Sequence, residues 1–415
     1  MLTCDSVLQQ YTPRVCAIQR WYVGVLVVGA ALFSSAVSAQ PDSSSIRPLR
    51  TVPAEKFAVK LGFRDWGPAT VAGQTILAGT PNGSGGLHAI DMSSGKLKWT
   101  SRPVNSGRFV STAPAIFRDI VIAPFNSDNP PGAVLGLALD TGKEVWRGPD
   151  PAVDAAVTVH AGLAYVLGKD ANFYALDAAS GREIWKMKFS SRTAVCVSRT
   201  LVFDDTLYLT GSIDTPDKSG PVLANYYLFA LDAKTGQERW RYRAEAPYVY
   251  KGVCLRQPVL TADTIFATGD NYIYGVDRVS GKDRWKPVEV RRPVEGRDRA
   301  IEVFGLVDAG SVLVGVNKGY LLAFAKASGQ IAWEIAGEFL ENRPSTAVAG
   351  STLYFQGNPG LKFSSSTLHA LDLDSHNILW SFARPTRPPN WPFGYVTPVD
   401  GGLWVDSYQA IVKLQ

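Results

Sequence analysis

The chain has 415 residues, 46% of them hydrophobic and 19% charged, with a formal net charge of +5. A balance this mild, with no long run of like charge, excludes a nucleic-acid-binding stripe. Thirty-eight glycines and eleven tryptophans suit many turns and many large apolar wedges, and no amphipathic helix is read after residue 40.

Residues 1–39 read as an export signal. Arg14 and Arg20 supply positive charge, Tyr22 to Phe33 is almost wholly apolar, and Val37-Ser38-Ala39 is a small-residue cleavage site. An uncleaved signal anchor is the alternative. No Cys stands at the cleavage point for lipid attachment. Residues 40–54, with Ser43-Ser44-Ser45 and several prolines, read as a flexible lead. Lys56 to Leu61 is the next strand, with no local partner.

From there one unit recurs. In Asn172 to Trp185, an apolar strand (Phe173 to Leu176) meets a turn opened by Asp177 and closed by Gly181, and Trp185 stands on the return strand. Equivalent copies run from Leu87 to Trp99, Leu137 to Trp146, Leu228 to Trp240, Tyr274 to Trp285, Leu322 to Trp333 and Leu368 to Trp380. Two copies drift: Ala325 replaces the Asp, and His376 replaces the Gly. Successive tryptophans are separated by 39 residues (Trp146 to Trp185) to 55 (Trp185 to Trp240). Two further strand signals precede each copy, as at Leu163 to Leu167 and Thr264 to Thr268. This period and content predict four-stranded propeller blades. Trp99, Trp146, Trp185, Trp240, Trp285, Trp333 and Trp380 are the wedges between neighbouring blades.

After Trp380 the sequence offers three strands, Tyr395 to Thr397, Gly402 to Val405 and Ala410 to Leu414. The strand near Phe57 supplies the fourth. The prediction is therefore an all-β, eight-bladed propeller over residues 55–415, a single domain, its ring closed by N- and C-terminal strands.

The signal carries Cys4 and Cys16, leaving Cys196 and Cys254. These hold equivalent places on the inner strands of adjacent blades. A disulfide or two buried thiols both fit. Four histidines do not make a metal centre, and no His, Cys or carboxylate cluster has zinc spacing. The turn aspartates read as turn-bonding groups in preference to calcium ligands.

The pattern Leu-x-Ala-Leu-Asp-x-x-Ser/Thr-Gly-x-x-x-Trp resembles the tryptophan-docking repeat of PQQ-type eight-bladed propellers, over about residues 55–415. Two kinds of protein share it: quinoprotein alcohol dehydrogenases, and a non-catalytic set similar to BamB, the outer-membrane assembly factor. The enzyme resemblance implies an adjacent Cys-Cys pair, a Glu/Asn pair on calcium and a catalytic Asp. No two cysteines here are adjacent. The size resembles BamB, but the lipid-anchor Cys is missing. The resemblance implies an exported, periplasmic or secreted scaffold, monomeric, binding a protein partner in the cell envelope. No cofactor is expected; PQQ with calcium belongs to the alternative dehydrogenase reading, and a carbohydrate or other ligand-binding propeller is a third. Nucleic acid is not expected, nor a transmembrane domain once the signal is cleaved.

In this blade topology the second-to-third and fourth-to-first connections share one face. That face carries the long connections: Pro124 to Ala133, Ser212 to Ala224, Gln356 to Ser366, Glu245 to Lys251, Lys286 to Arg299, Gly337 to Arg343 and Ala383 to Phe393. Variable loops on a rigid scaffold carry function. Arg108, Arg192, Lys251, Arg299 and Arg343 each stand shortly before an inner strand, so they are expected to ring the channel mouth. Tyr248, Tyr250, Trp391 and Phe393 lie in the same connections. Arginine with aromatics suits a protein or anionic partner, and local pairing with acids such as Asp65, Glu302 or Glu341 is the structural alternative.

Overall fold

The computed structural model describes residues 45–60, 69–80, 86–102, 108–109, 113–128, 131–149, 156–168, 170, 172–188, 200–215, 223–244, 255–269, 271–294, 296–317, 319–339, 346–359, 367–383, 394–407 and 410–415. Among them every regular element is a strand. Blade 1 holds Thr70–Ala72, Thr75–Gly79, Leu87–Asp91 and Leu97–Ser101. Blade 2 holds Ala115–Phe117, Ile120–Asp128, Pro131–Ala138 and Glu144–Arg147, and blade 3 Thr158–His160, Leu163–Leu167, Asn172–Asp177 and Glu183–Lys188. Blade 4 is Leu201–Phe203, Thr206–Thr215, Leu223–Asp232 and Glu238–Ala244, and blade 5 is Arg256–Leu260, Thr264–Gly269, Tyr272–Asp277 and Val288–Glu289. Blade 6 is Phe304–Ala309, Val312–Asn317, Tyr320–Ala325 and Ile331–Phe339, and blade 7 is Ala347–Ala349, Thr352–Pro359, Thr367–Asp372 and Ile378–Ala383. Blade 8 takes Val396–Val399, Gly402–Ser407 and Ala410–Leu414 from one end of the chain, and Glu55–Lys60 from the other. The eight-bladed ring and its closure are as the sequence predicts, with the N-terminal strand one residue earlier.

In blades 1 to 5 the tryptophan ring lies on the turn glycine of the next blade: a Cβ at Gly142 would stand 2.4 Å from Trp99, one at Gly181 2.4 Å from Trp146, and one at Gly236 2.8 Å from Trp185. Only glycine leaves that room, and only glycine takes the turn's positive φ (68–72°) without strain. The indole N–H then donates to that turn, from Trp99 to Leu139 O (2.9 Å), Trp185 to Ala233 O (3.2 Å), Trp240 to Arg278 O (3.2 Å) and Trp285 to Lys326 O (3.1 Å). Beneath each ring the third strand places a small residue. Ala89, Ala175, Ala230, Ala323 and Ala370 pair with Trp99, Trp185, Trp240, Trp333 and Trp380. A Cβ at Gly136 would meet Trp146 at 2.2 Å.

Within the lead, residues 40–44 lie outside the described residues, and of residues 45–54 Leu49 and Pro53 are buried against the ring while most of the others are exposed. Leu49 is buried; its carbonyl accepts the Trp380 indole N–H (2.9 Å), and its N–H donates to Tyr354 Oη (2.7 Å). Arg47 pairs with Asp400 (2.9 Å) and Arg50 with Asp372. In blade 8 the chain ends replace the turn between third and fourth strands, so the lead supplies the carbonyl that turn would have offered.

Several connections read as loops are strand. The hairpin of blade 2 continues to Asp128↔Pro131 and that of blade 4 to Thr215↔Leu223. Residues 356–359 extend the second strand of blade 7, where Gly337–Phe339 of blade 6 pair with Gly357–Pro359. Antiparallel pairing, once in register, satisfies backbone groups beyond the apolar core, so polar residues are carried along.

Candidate functional site

In blades 1 to 7 the four strands pair in chain order, so the described parts of the second-to-third connections leave their blades on one face. Two features rise from it. One is the pair of lengthened hairpins of blades 2 and 4. The other is a separate two-stranded hairpin, Arg291–Val294 with Arg297–Ala300, between blades 5 and 6. Val290 and Ile301, buried and bonded at 2.9 Å, fasten its base, and Gly296 at φ 73° makes its turn.

This hairpin leans on blade 6. Tyr320 Oη donates to Pro293 O (2.8 Å), and Arg292 pairs with Glu334. Arg291 binds Asp298 (2.8 Å) and Glu289 (3.3 Å), which hold its guanidinium above the ordinary value. Arg292, Val294, Arg297 and Arg299 fall on one side by register. Arg297 and Arg299 are exposed. The sequence reading missed Arg291, Arg292 and Arg297. Its signal was there: two short period-2 stretches separated by Glu295-Gly296.

Arg299 therefore sits on a hairpin propped against the third and fourth strands of blade 6, not on a segment running straight to the inner strand. Arg108 belongs to a short strand, Arg108–Phe109, paired to Phe125 and Asn126 at the far end of blade 2. Arg192, Lys251, Arg343, Tyr248, Tyr250, Trp391, Phe393, Cys196 and Cys254 lie outside the described residues. Of the expected ring, the structure thus places Arg108 and Arg299 on the elaborated face, in different blades.

The opposite face is built of uniform turns. Asp177 Oδ1 accepts the N–H groups of Ala179 (3.1 Å) and Ser180 (2.8 Å), and Asp91, Asp232, Asp277 and Asp372 do the same in their turns. Donated hydrogen bonds hold these carboxyls below the usual range, Asp232 and Asp372 down to about 2. Their lone pairs are spent on backbone, and among the described residues no group of three His, Cys, Asp or Glu is placed to hold a metal ion. His88 and His369 are buried side chains in equivalent positions. His88 bonds Thr80 and Thr100 (both 3.0 Å), and His369 bonds Ser381 (2.8 Å) and Gly357 O (2.6 Å). Among the described residues no helix is long and apolar enough to cross a membrane.

A family model described as outer membrane protein assembly factor BamB matches residues 130–382, more than half of the chain. The BamB of Moranella endobia (strain PCIT) is 26% identical over 279 residues, 62% of this chain and 61% of that protein. The chain covers between 20% and 61% of the lengths of the curated relatives it matches. Among solved structures, BamB from Moraxella catarrhalis aligns with a TM-score of 0.61 at 15% identity, over 88% of this chain and all of that one. Quinohemoprotein alcohol dehydrogenase from Comamonas testosteroni aligns at 0.57 and 14%, over 88% and 78%. At these identities the two structures establish a common fold and nothing finer.

Proposed function

The chain belongs to the family described as outer membrane protein assembly factor BamB, and on that premise we propose that it is an exported, non-catalytic propeller that binds a protein partner in the cell envelope during outer-membrane protein assembly. The match across residues 130–382, blades 2 to 7, carries this reading. The architecture supports it: seven docked tryptophans make a stiff ring, and one face raises paired hairpins with arginines at exposed positions. Such a surface suits a partner met by shape and charge.

The dehydrogenase reading asks for residues that do not fit. None of Cys4, Cys16, Cys196 and Cys254 is adjacent to another, and the regularly spaced aspartates are engaged in their turns. No step is assigned to a quinone.

The test is photo-crosslinking in the native envelope from position 297 on the hairpin, with position 143 on the short-turn face as control. Adducts to an outer-membrane assembly component from position 297 alone are expected. Equal adducts from both positions, none from either, or alcohol oxidation on titration with PQQ and calcium would each overturn the proposal.

A further inference from the structure

The seam between blades 6 and 7 departs from the others. Its turn keeps the usual conformation: His376 has φ 59° and its N–H donates to Asp372 O at 2.8 Å, as the turn glycines do. Only the side chain is different. Where a Cβ at the other turns would stand 2.3–2.8 Å from the docking ring, here an imidazole occupies that space. It lies against Trp333, tilted by 38°, with ring centroids 4.7 Å apart. The Trp333 indole N–H makes no hydrogen bond among the described residues, a lack it shares with the buried Trp146 N–H at the seam of blades 2 and 3. The carbonyl it would have reached by analogy is that of Leu373.

The first strand of blade 6 adds to the gap. Blades 2, 3 and 4 end that strand with Phe117, His160 and Phe203, whereas blade 6, like blades 1 (Ala72-Gly73) and 7 (Ala349-Gly350), ends it with a small residue, Ala309, followed by Gly310-Ser311. Phe203 lies under the Arg278 guanidinium (3.9 Å), and His160 bonds Asp205 (3.0 Å), so those seams are filled. At blades 6 and 7 an open surface hollow of about 400 Å³ remains, lined by Ser311, Trp333, Ser351, Leu373, Asp374 and His376 among others, with Ser311, Asp374 and His376 exposed at its rim. It opens on the short-turn face, away from the proposed partner surface.

Its chemistry is mixed. The indole N–H and two serine hydroxyls donate. Asp374, exposed and without an ion pair among the described residues, accepts. Leu373, Val312 and Ala309 supply apolar wall. No Lys or Arg is among these lining residues, and the neighbouring Arg50 guanidinium is engaged by Ser351 Oγ (2.9 Å) and Asp372, while Asp374 faces any anion that enters. Hydroxyls that both donate and accept, set on a ring with apolar faces, match every part of this lining, and the volume lies in the lower range of small-molecule sites. We propose that this inter-blade hollow binds a single sugar ring, and that His376, in place of the repeat glycine, is what opens it.

The test follows the indole ¹⁵N–¹H resonances of the purified protein during titration with glucose, N-acetylglucosamine, choline and inorganic phosphate. The Trp333 signal is assigned by its loss in Trp333→Phe or, if that variant does not fold, by its shift in His376→Gly. A saturable shift with a sugar at millimolar concentration is expected. His376→Gly restores the repeat turn, so it should weaken binding at least tenfold and raise the melting temperature. The proposal is overturned by no shift with either sugar, by a shift with choline or phosphate alone, or by undiminished sugar binding in His376→Gly.

Discussion

The seam between blades 3 and 4 and the seam between blades 8 and 1 solve one problem with different residues. In the first, a single side chain suffices: Trp185 lays its ring on Gly236 and donates its N–H to Ala233 O. In the second no tryptophan stands on the fourth strand (Trp404, on the second strand of blade 8, packs edge-on against Phe57 at 5.5 Å), and two residues from opposite ends of the chain divide the work. Phe57 supplies the ring, against which a Cβ at Gly95 would stand 2.3 Å away, and Lys413 Nζ donates to Met92 O at 3.0 Å. Met92 follows Asp91 as Ala233 follows Asp232. The acceptor is thus the same position of the repeat. Lys413 stands on the third strand opposite Phe57, where the other blades have Ala or Gly. At these two seams one flat apolar face and one donor are supplied by different residues.

The largest break in that comparison is removal of a whole wedge. Trp240→Ala deletes ring and donor together at the seam of blades 4 and 5, and should cost about 3–5 kcal/mol. Urea unfolding measures it. A loss below about 1 kcal/mol would mean that the seams are held by backbone pairing and the tryptophans are incidental.

Acid should strike the blades on either side of the closing one. Blades 1 and 7 each bury a histidine at the same position, and burial, with Arg102 nearby, holds His88 down to about 4. A histidine whose folded pKa is depressed stabilises the fold fully above its unfolded value of about 6.5. That contribution is lost as pH falls from there to about 4, because only the unfolded chain takes up the proton. The loss from His88 is on the order of 3 kcal/mol. The aspartates with lowered values lose their contribution from about pH 5 downward, as the unfolded carboxylates take up protons, so the histidine effect is read cleanly between pH 6.5 and about 5. His88→Asn should flatten the stability profile between pH 6.5 and about 5. An unchanged slope would place the acid sensitivity elsewhere.

Smaller still is the addition of one methyl at a turn. Gly236→Ala meets both a Trp185 contact at 2.8 Å and φ 72°, whereas Gly73→Ala meets only φ 57°, with nothing within 4 Å. The first should cost about 1–3 kcal/mol and the second about 1 kcal/mol or less. Equal costs in thermal melts would mean that the ring yields freely at the dock.

The sequence made the fold legible because the repeat is local: Asp177, Gly181 and Trp185 fall within one hairpin, and their spacing carries strand, turn and wedge together. The substitutions at the seam of blades 8 and 1 are not local. Phe57 and Lys413 look ordinary until the two chain ends pair. The lead is opaque for a related reason. Its Ser and Pro content reports local stiffness and says nothing of a Leu49 carbonyl that Trp380 will need. The elaborated face was legible as a face, since blade topology fixes which connections share it. The hairpin that carries Arg299 reads as loop, because its two period-2 stretches around Glu295-Gly296 carry little apolar signal and lean on Tyr320 and Glu334 of another blade.

The finest test rebuilds the odd seam as a regular one. Phe57→Trp alone adds an indole over Lys413, whose stem already fills the space that Ala occupies elsewhere, and so should destabilise. Lys413→Ala alone removes the donor to Met92 O and the cation 5.8 Å from the Phe57 ring. Because Lys413 is partly exposed, that loss should be only about 1 kcal/mol. The double variant places Trp over Ala, as in Trp185 over Ala175, with the indole N–H free to reach Met92 O. It should recover most of both losses, giving a coupling of about 1 kcal/mol or more in a double-mutant cycle. The cycle is read by urea unfolding of the four proteins at one pH. Strict additivity would mean that Phe57 and Lys413 do not together replace the tryptophan, and that the ring closes through pairing of Glu55–Lys60 with Ala410–Leu414 alone.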